Sequence, residues 1–306
     1  MTEMKPAVGW IGTGVMGTSM AGHLLNAGYP LGVYTRTASK AETLLSQGAQ
    51  WFDHPRDLAA QHDIVISIVG YPEDVEEIYC GDSGVLHAAG ETRCRIAIDM
   101  TTSQPELARS LFEKGAAAGV AFLDAPVSGG DVGARNGTLS IMVGGDEKVF
   151  SEVAPIFEIL GSEVRLQGGP GSGQHTKMVN QTIIASTMIG MCEGLVYARK
   201  AGLDPESVLK SVSGGAAGSW SLSNLAPRIL NGDFEPGFFV EHFVKDMGIA
   251  LEECERMDLD LPGLSLARSL YQEVVATGGA QLGTQALYSV VDRLSGIQGG
   301  QDGQLG

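Results

Sequence analysis

Six short apolar runs punctuate the first half of the chain, with stretches of helical spacing between them. The runs are AVGWIG (7–12), PLGVYT (30–35), DIVISIV (63–69), RIAIDM (95–100), VAFLDAP (120–126) and LSIMVGG (139–145). Residues 15–27, 38–47, 73–80, 105–118 and 146–160 instead set apolar side chains three and four apart. Strands and helices that alternate in this way join through right-handed crossovers, which bury a parallel sheet between helical layers. The fold class predicted for this half is α/β, with a doubly wound, mostly parallel sheet.

After about residue 168 the pattern changes. Gly173 to Lys200 is free of proline and carries Met178, Ile184, Met188, Met191 and Leu195 at helical intervals, which predicts one helix of about seven turns. Further helical stretches follow at 205–213, 219–231, 243–257, 263–277 and 284–294, with Pro205, Pro227, Pro236 and Pro262 near their boundaries. At 306 residues the chain has room for about two domains. The expected division is 1–168, then an all-α domain over 169–295 that begins with the long helix, then a Gly/Gln-rich flexible tail at 296–306.

Several function classes drop out on composition. With 20 Lys+Arg against 36 Asp+Glu the formal charge is −16, and no basic patch offsets it, so neither nucleic acid nor an anionic membrane surface is an expected partner. Cys80, Cys94, Cys192 and Cys254 lie far apart, and the six histidines form no metal or triad pattern, so neither a metal nor a disulfide framework is expected. No apolar run reaches 18 residues, and the first strand begins almost at once, so neither a membrane span nor a targeting segment is expected. The expected compartment is cytoplasmic. Glycine is the one surplus, 43 of 306 residues, about twice the usual ~7%.

Part of that surplus is functional in pattern. Gly12, Thr13, Gly14, Val15, Met16 and Gly17 follow the first apolar run and open a helical stretch. In a βαβ unit this spacing makes a tight turn, lets a pyrophosphate approach the backbone and packs helix on strand, so a dinucleotide cofactor is expected there. An acid about 20 residues on would accept from a ribose 2′-hydroxyl. The second run ends instead in Thr35, Arg36 and Thr37, with Lys40 one turn later and no acid in the stretch. That pattern suits a 2′-phosphate, so NADP(H) is the expected cofactor and NAD(H) the weaker one. Val69, Gly70 and Tyr71, and Thr102 within 101–103, close later strands; each segment reads as a cofactor contact or as an ordinary turn.

Two segments carry the remaining chemistry. In Asp124-Ala125-Pro126-Val127-Ser128-Gly129-Gly130, small residues expose backbone N–H groups that suit a carboxylate, with the Ser128 hydroxyl as a further donor. A glycine-rich connector is the alternative. On the long helix Lys177, Asn180 and Gln181 share one face among mostly apolar neighbours. A lysine desolvated beside a cationic nicotinamide would have its pKa lowered from ~10.4 toward neutrality, in range for proton transfer. The alternative is a lysine snorkelling at a domain boundary. Lys245 and Asp246 read as cofactor and active-site residues or as a salt-bridged turn, Trp220 as a pocket wall or core packing, and Phe238 as a substrate neighbour.

Together these segments resemble the β-hydroxyacid dehydrogenase family, which includes the 3-hydroxyisobutyrate dehydrogenases and the glyoxylate and succinic semialdehyde reductases. The shared motifs are GxGxMG at 12–17, DAPVSGG at 124–130, GxGxxxKxxN at 171–180 and KDxxxA at 245–250. The resemblance implies a Rossmann-like domain, a long interdomain helix and an all-α domain, assembled as homodimers or homotetramers through the helical domain. It implies Lys177 as the catalytic lysine, Ser128, Gly129 and Gly130 as the substrate-carboxylate loop, Thr102 and Lys245 as cofactor contacts and Asp246 as an active-site acid. One position departs: the family's asparagine four residues after the lysine is here Gln181, beside Asn180. The expected activity is NADPH-dependent, reversible reduction of a small aldehyde or keto acid. A non-catalytic dinucleotide-binding or assembly protein and an imine reductase are the alternatives, and both would be expected to lack the lysine.

Overall fold

The computed structural model describes residues 5–88 and 92–296, so the expected tail lies outside the described residues from 297 on. The chain divides into two compact units between Lys177 and Met178. Among the described residues the first unit has nine strands: β1 (Val8–Ile11), β2 (Leu31–Tyr34), β3 (Gln50–Trp51), β4 (Ile64–Ser67), β5 (Ile96–Asp99), β6 (Ala121–Asp124), β7 (Val127–Ser128), β8 (Leu139–Gly144) and β9 (Gly161–Gly168). Its helices are α1 (Gly17–Asn26), α2 (Glu42–Ser46), α3 (Pro55–Gln61), α4 (Pro72–Cys80), α5 (Pro105–Ala117), α6 (Gly130–Asn136) and α7 (Glu147–Leu160).

The strands run in the order β3-β2-β1-β4-β5-β6, all parallel, and the order reverses between β1 and β4. Along each central strand alternate residues feed two different cores. Val8, Trp10, Ile64, Ile66, Ile96 and Ile98 enter one, while Ile11, Val65 and Ala97 enter the other. A sheet covered on both faces leaves no solvent-facing positions on these strands, which is why they read as apolar runs, with Ser67 and Asp99 as buried polar residues only at the ends of β4 and β5. Beyond β6 the sheet ceases to be parallel. Pro126 separates β6 from β7, and β8 runs antiparallel to both, with Asp124 opposite Gly144 and Val127 opposite Ile141, while β9 adds parallel to β8.

Register brings the loops together. Ile11 aligns with Tyr34 and Ser67, Ser67 with Asp99, and Asp99 with Asp124. Five parallel strands thus end level, and their following loops leave one edge of the sheet, where open α/β sheets bind ligands.

The long helix α8 (Ser172–Lys200) spans 29 residues. The second unit adds α9 (Pro205–Val212), α10 (Trp220–Asn224), α11 (Ala226–Leu230), α12 (Val240–Arg256), α13 (Pro262–Ala276) and α14 (Leu287–Leu294). Its core joins Met178, Met188 and Met191 of α8 to Phe243 and Met247 of α12, Tyr271 of α13 and Leu287 of α14. The single helix expected over 219–231 is two, because Pro227 in the first turn of α11 has no N–H to continue the ladder across Leu225.

Candidate active site

The glycine turn is shaped by two different needs. A Cβ on Gly12, which has φ +97°, would stand 2.1 Å from the Ile68 carbonyl oxygen, and one on Gly17 would stand 2.1 Å from that of Gly12. Both glycines are required by the fold itself. A Cβ on Gly14 would meet nothing within 4 Å, so the space beside it is open to a ligand. The Thr13 hydroxyl is buried at this turn without a hydrogen-bond partner, and α1 has no side-chain cap on its first N–H groups. Open space, an orphaned hydroxyl and uncapped backbone donors fit a dinucleotide pyrophosphate. Val15 is exposed, whereas Met16 packs partly against the core.

The loops on either side carry the other expected cofactor residues. Thr35, Arg36 and Thr37 follow β2, and Lys40 lies in a 3₁₀ turn over Ala38–Ala41. Arg36 extends into solvent and is bonded to Asp74 in the first turn of α4, Nη1 to Oδ1 at 2.7 Å. The second strand has no acid of its own, but the fold delivers one from the first turn of α4, the helix after β4. Val69 N donates to Thr101 Oγ1 at 2.9 Å, which ties the 68–71 loop to the loop bearing Thr102. Behind them Asp99 is fully buried and accepts from Ser67 Oγ at 2.8 Å and Thr101 N at 3.1 Å. Burial pushes its carboxyl up to about 6.

The motif at 124–130 has a part in the site beyond its glycines. Asp124 is buried at the end of β6 and accepts from Gly171 N at 2.8 Å and Gln174 N at 2.9 Å, holding the first turn of α8 to the sheet. Burial raises its pKa, and the backbone N–H groups oppose that rise. Gln174 then bridges the next loop: its Nε2 donates to Thr101 O at 2.7 Å and its Oε1 accepts from Ser103 N at 2.9 Å. One turn later Lys177, also buried, donates from Nζ to Val127 O at 2.8 Å. The loop after β5, the end of β6 and the short β7 therefore fix the start of this helix. Ser128 ends β7, and Gly129, with φ +130°, turns the chain into α6 at Gly130.

The second unit has a polar cluster of its own. Asn180 Nδ2 donates to Gln181 Oε1 at 2.7 Å, and Gln181 Nε2 donates to Asp246 Oδ2 at 2.6 Å. Asp246 pairs with Lys245 at 3.2 Å. Gln181 in place of asparagine thus has a structural role, since its longer stem reaches the α12 carboxylate. Phe238 packs on Phe243 with ring centroids 5.8 Å apart. The core-packing reading of Trp220 does not hold, because the side chain stands at the start of the short α10 and is 58% exposed.

Asp74, Asp99, Asp124 and Gln174 were absent from the residues expected to matter. Asp124 lies inside a recognised motif, but local sequence does not say which backbone groups its carboxylate meets. Among the described residues no cluster of His, Cys, Asp and Glu suits a metal ion, and no helix is long and apolar enough to cross a membrane.

The chain matches known proteins along nearly its whole length. Residues 7–169 match the NAD-binding domain of 6-phosphogluconate dehydrogenase, and residues 171–291 match the NAD-binding domain of NADP-dependent 3-hydroxyisobutyrate dehydrogenase. An uncharacterized oxidoreductase of Bacillus subtilis is 56% identical, covering 94% of this chain and 99% of its own. A probable 3-hydroxyisobutyrate dehydrogenase-like mitochondrial protein of Arabidopsis thaliana is 49% identical over 97% of this chain and 88% of its own. A 2-hydroxy-3-oxopropionate reductase of Escherichia coli is 38% identical over 94% of this chain and 98% of its own. Among solved structures, 3-hydroxyisobutyrate dehydrogenase of Mycobacterium tuberculosis superposes with a TM-score of 0.84 at 28% identity, covering 95% of this chain and 99% of that one. Such agreement across both halves, with the glycine turn and the lysine-bearing helix start where the fold needs them, makes this chain a member of the β-hydroxyacid dehydrogenase family of NAD(P)-dependent oxidoreductases.

Proposed function

We propose that the chain is an NADPH-dependent reductase of a small aldehyde or keto acid, working reversibly as a hydroxyacid dehydrogenase. The observation that carries this reading is the buried Lys177, whose Nζ lies 2.8 Å from the carbonyl oxygen of Val127, the residue before Ser128. A lysine held against the loop proposed to bind a carboxylate stands where the carbonyl of the same short substrate would lie.

The nicotinamide, when bound, supplies hydride to the carbonyl carbon. As that carbon–oxygen π pair moves onto oxygen, Lys177 Nζ gives the oxygen a proton, completing the hydroxyl, and is reprotonated from solvent. Before transfer the lysine's charge steadies the developing alkoxide. Ser128 Oγ and the N–H groups of Gly129 and Gly130 hold the carboxylate, so binding energy orients the carbonyl. Gly12 to Gly17 would take the pyrophosphate, Arg36 and Lys40 with Thr35 and Thr37 the 2′-phosphate, and Val69, Gly70, Tyr71 and Thr102 the adenosine and nicotinamide riboses. From the family resemblance we assign substrate-facing roles to Gln181 and Asp246 and a cofactor-facing role to Lys245, and from their place in the sequence we assign substrate-facing roles to Asn180, Trp220 and Phe238.

We further propose self-association through the helical unit and a cytoplasmic location. Val179, Ile183 and Tyr197 are exposed on one face of α8, and Gly190 and Gly194 lie along the same face with nothing near them. That face supports a closely packed partner helix.

NADPH oxidation screened over C2–C6 aldehyde and keto acids tests the activity. Turnover on at least one member is expected; none across the panel would overturn the reading. Lys177→Ala should lower kcat by about 10³-fold while NADPH binding, followed by its fluorescence, stays within about twofold.

A further inference from the structure

Arg36 and Asp74 reach the same sheet edge from opposite sides of the glycine turn. Arg36 follows β2 and Asp74 follows β4, the two strands that flank β1 in level register. Arg36 Nη1 donates to Asp74 Oδ1 at 2.7 Å and Nη2 to Oδ2 at 3.5 Å. Oδ2 also accepts from Tyr71 N at 3.2 Å, which pins the carboxylate to the start of its helix. The arginine side chain is 77% exposed and the aspartate 18%. The acid is the anchored member of the pair and the arginine the exposed one.

We propose that Asp74 is a cofactor-discriminating residue, whose carboxylate competes with the dinucleotide 2′-phosphate for the Arg36 guanidinium and so narrows the advantage of NADPH over NADH. This rests on the reading of Arg36 as the phosphate partner. A phosphate monoester carries about −1.5 to −2 at neutral pH. Binding to Arg36 brings that charge close to Asp74, and two outcomes are open. The phosphate and carboxylate share the guanidinium and repel each other, or the ion pair breaks and Asp74 loses its partner. Either one weakens the phosphorylated ligand and leaves the unphosphorylated one untouched. At a separation of about 6 Å in a water-like dielectric, the repulsion corresponds to roughly four- to sevenfold in affinity at ~10 mM salt and to about two- to threefold at physiological salt. Arg36 favours phosphate and Asp74 subtracts from that preference, which gives a site that accepts both cofactor forms.

The test reads the adenosine half alone, using adenosine 2′,5′-bisphosphate and 5′-AMP titrated calorimetrically into the full-length protein. Asp74→Asn removes the charge but keeps an acceptor for Tyr71 N. At ~10 mM salt it should tighten the bisphosphate about four- to sevenfold, change 5′-AMP less than twofold, and lose most of this gain at high salt. In the Arg36→Ala background the same substitution should give no gain. An unchanged bisphosphate affinity in Asp74→Asn, or an equal change for both ligands, would overturn the role of Asp74 while leaving Arg36 standing. If Arg36→Ala leaves the bisphosphate affinity intact, the phosphate reading falls, and the discrimination by Asp74 with it. Retained 5′-AMP binding certifies the fold of each variant.

Discussion

Two buried polar clusters occupy successive turns of α8, and they are held in place differently. Gln174 and Lys177 in the first unit bond largely to backbone: the carbonyls of Thr101 and Val127, the N–H of Ser103, and the Asp124 carboxylate that grips the helix's own N–H groups. Gln181 in the second unit bonds to side chains, Asn180 on one hand and Asp246 on the other, with Lys245 completing the row. A cluster anchored largely on backbone takes its geometry from the strand ends and the loop that hold it. One anchored on side chains can shift reach between partners. The difference explains how asparagine can become glutamine at 181 without disturbing the lysine one turn earlier.

The contrast is open to attack by substitution. Asp124→Ala leaves the N–H groups of Gly171 and Gln174 buried without acceptors, and no neighbouring change can supply one. Urea unfolding should show a loss of about 3–5 kcal/mol, and a loss under 1 kcal/mol would mean that the helix start is held by other means.

Asp99 tests the same backbone-anchored region through pH. Its folded pKa of about 6 lies above the ~3.9 of an unfolded aspartate, so the native state holds the extra proton between those values. Burial of the ionised group therefore costs stability above pH 6, and the cost disappears as the pH falls toward 4. Asp99→Asn removes this dependence. Its stability relative to the parent should rise by about 3 kcal/mol from pH 4 to pH 8, and a flat difference across that range would exclude a raised Asp99 pKa.

The smallest effect belongs to the cluster anchored on side chains. Gln181→Asn shortens the reach to Asp246 and should cost about 1 kcal/mol. Adding Asp246→Glu lengthens the partner and should recover part of that cost in a double-mutant cycle. Strict additivity of the two losses would show that this cluster is no more adaptable than the other.

The parts of the fold readable from sequence are those where burial alone sets the residue type. VGWI, IVIS and IAID are buried at every position and announce β1, β4 and β5. Two-residue strands such as Gln50–Trp51 and Val127–Ser128 are too short to show a period, and GSEVRLQG of β9 lies mostly exposed, with no apolar run. α6 escapes because GDVGARN, with two glycines, has the composition of a loop. The site divides in the same manner. The glycine turn and Lys177 carry their signal in neighbouring residues. Asp74 meets Arg36 across 38 positions and Asp124 meets Gln174 across 50, distances over which only the completed sheet brings them together.

The position of Asp124 also bears on any attempt to redesign what this enzyme accepts. The segment 124–130 reads in sequence as a self-contained loop, an inviting unit to exchange for one from a relative with other tastes. Its first residue, however, is a foundation stone of the lysine-bearing helix. The exchangeable unit begins after Val127, whose carbonyl anchors Lys177, and a graft that respects that seam alters the proposed carboxylate cradle while leaving the proposed proton donor on its footing.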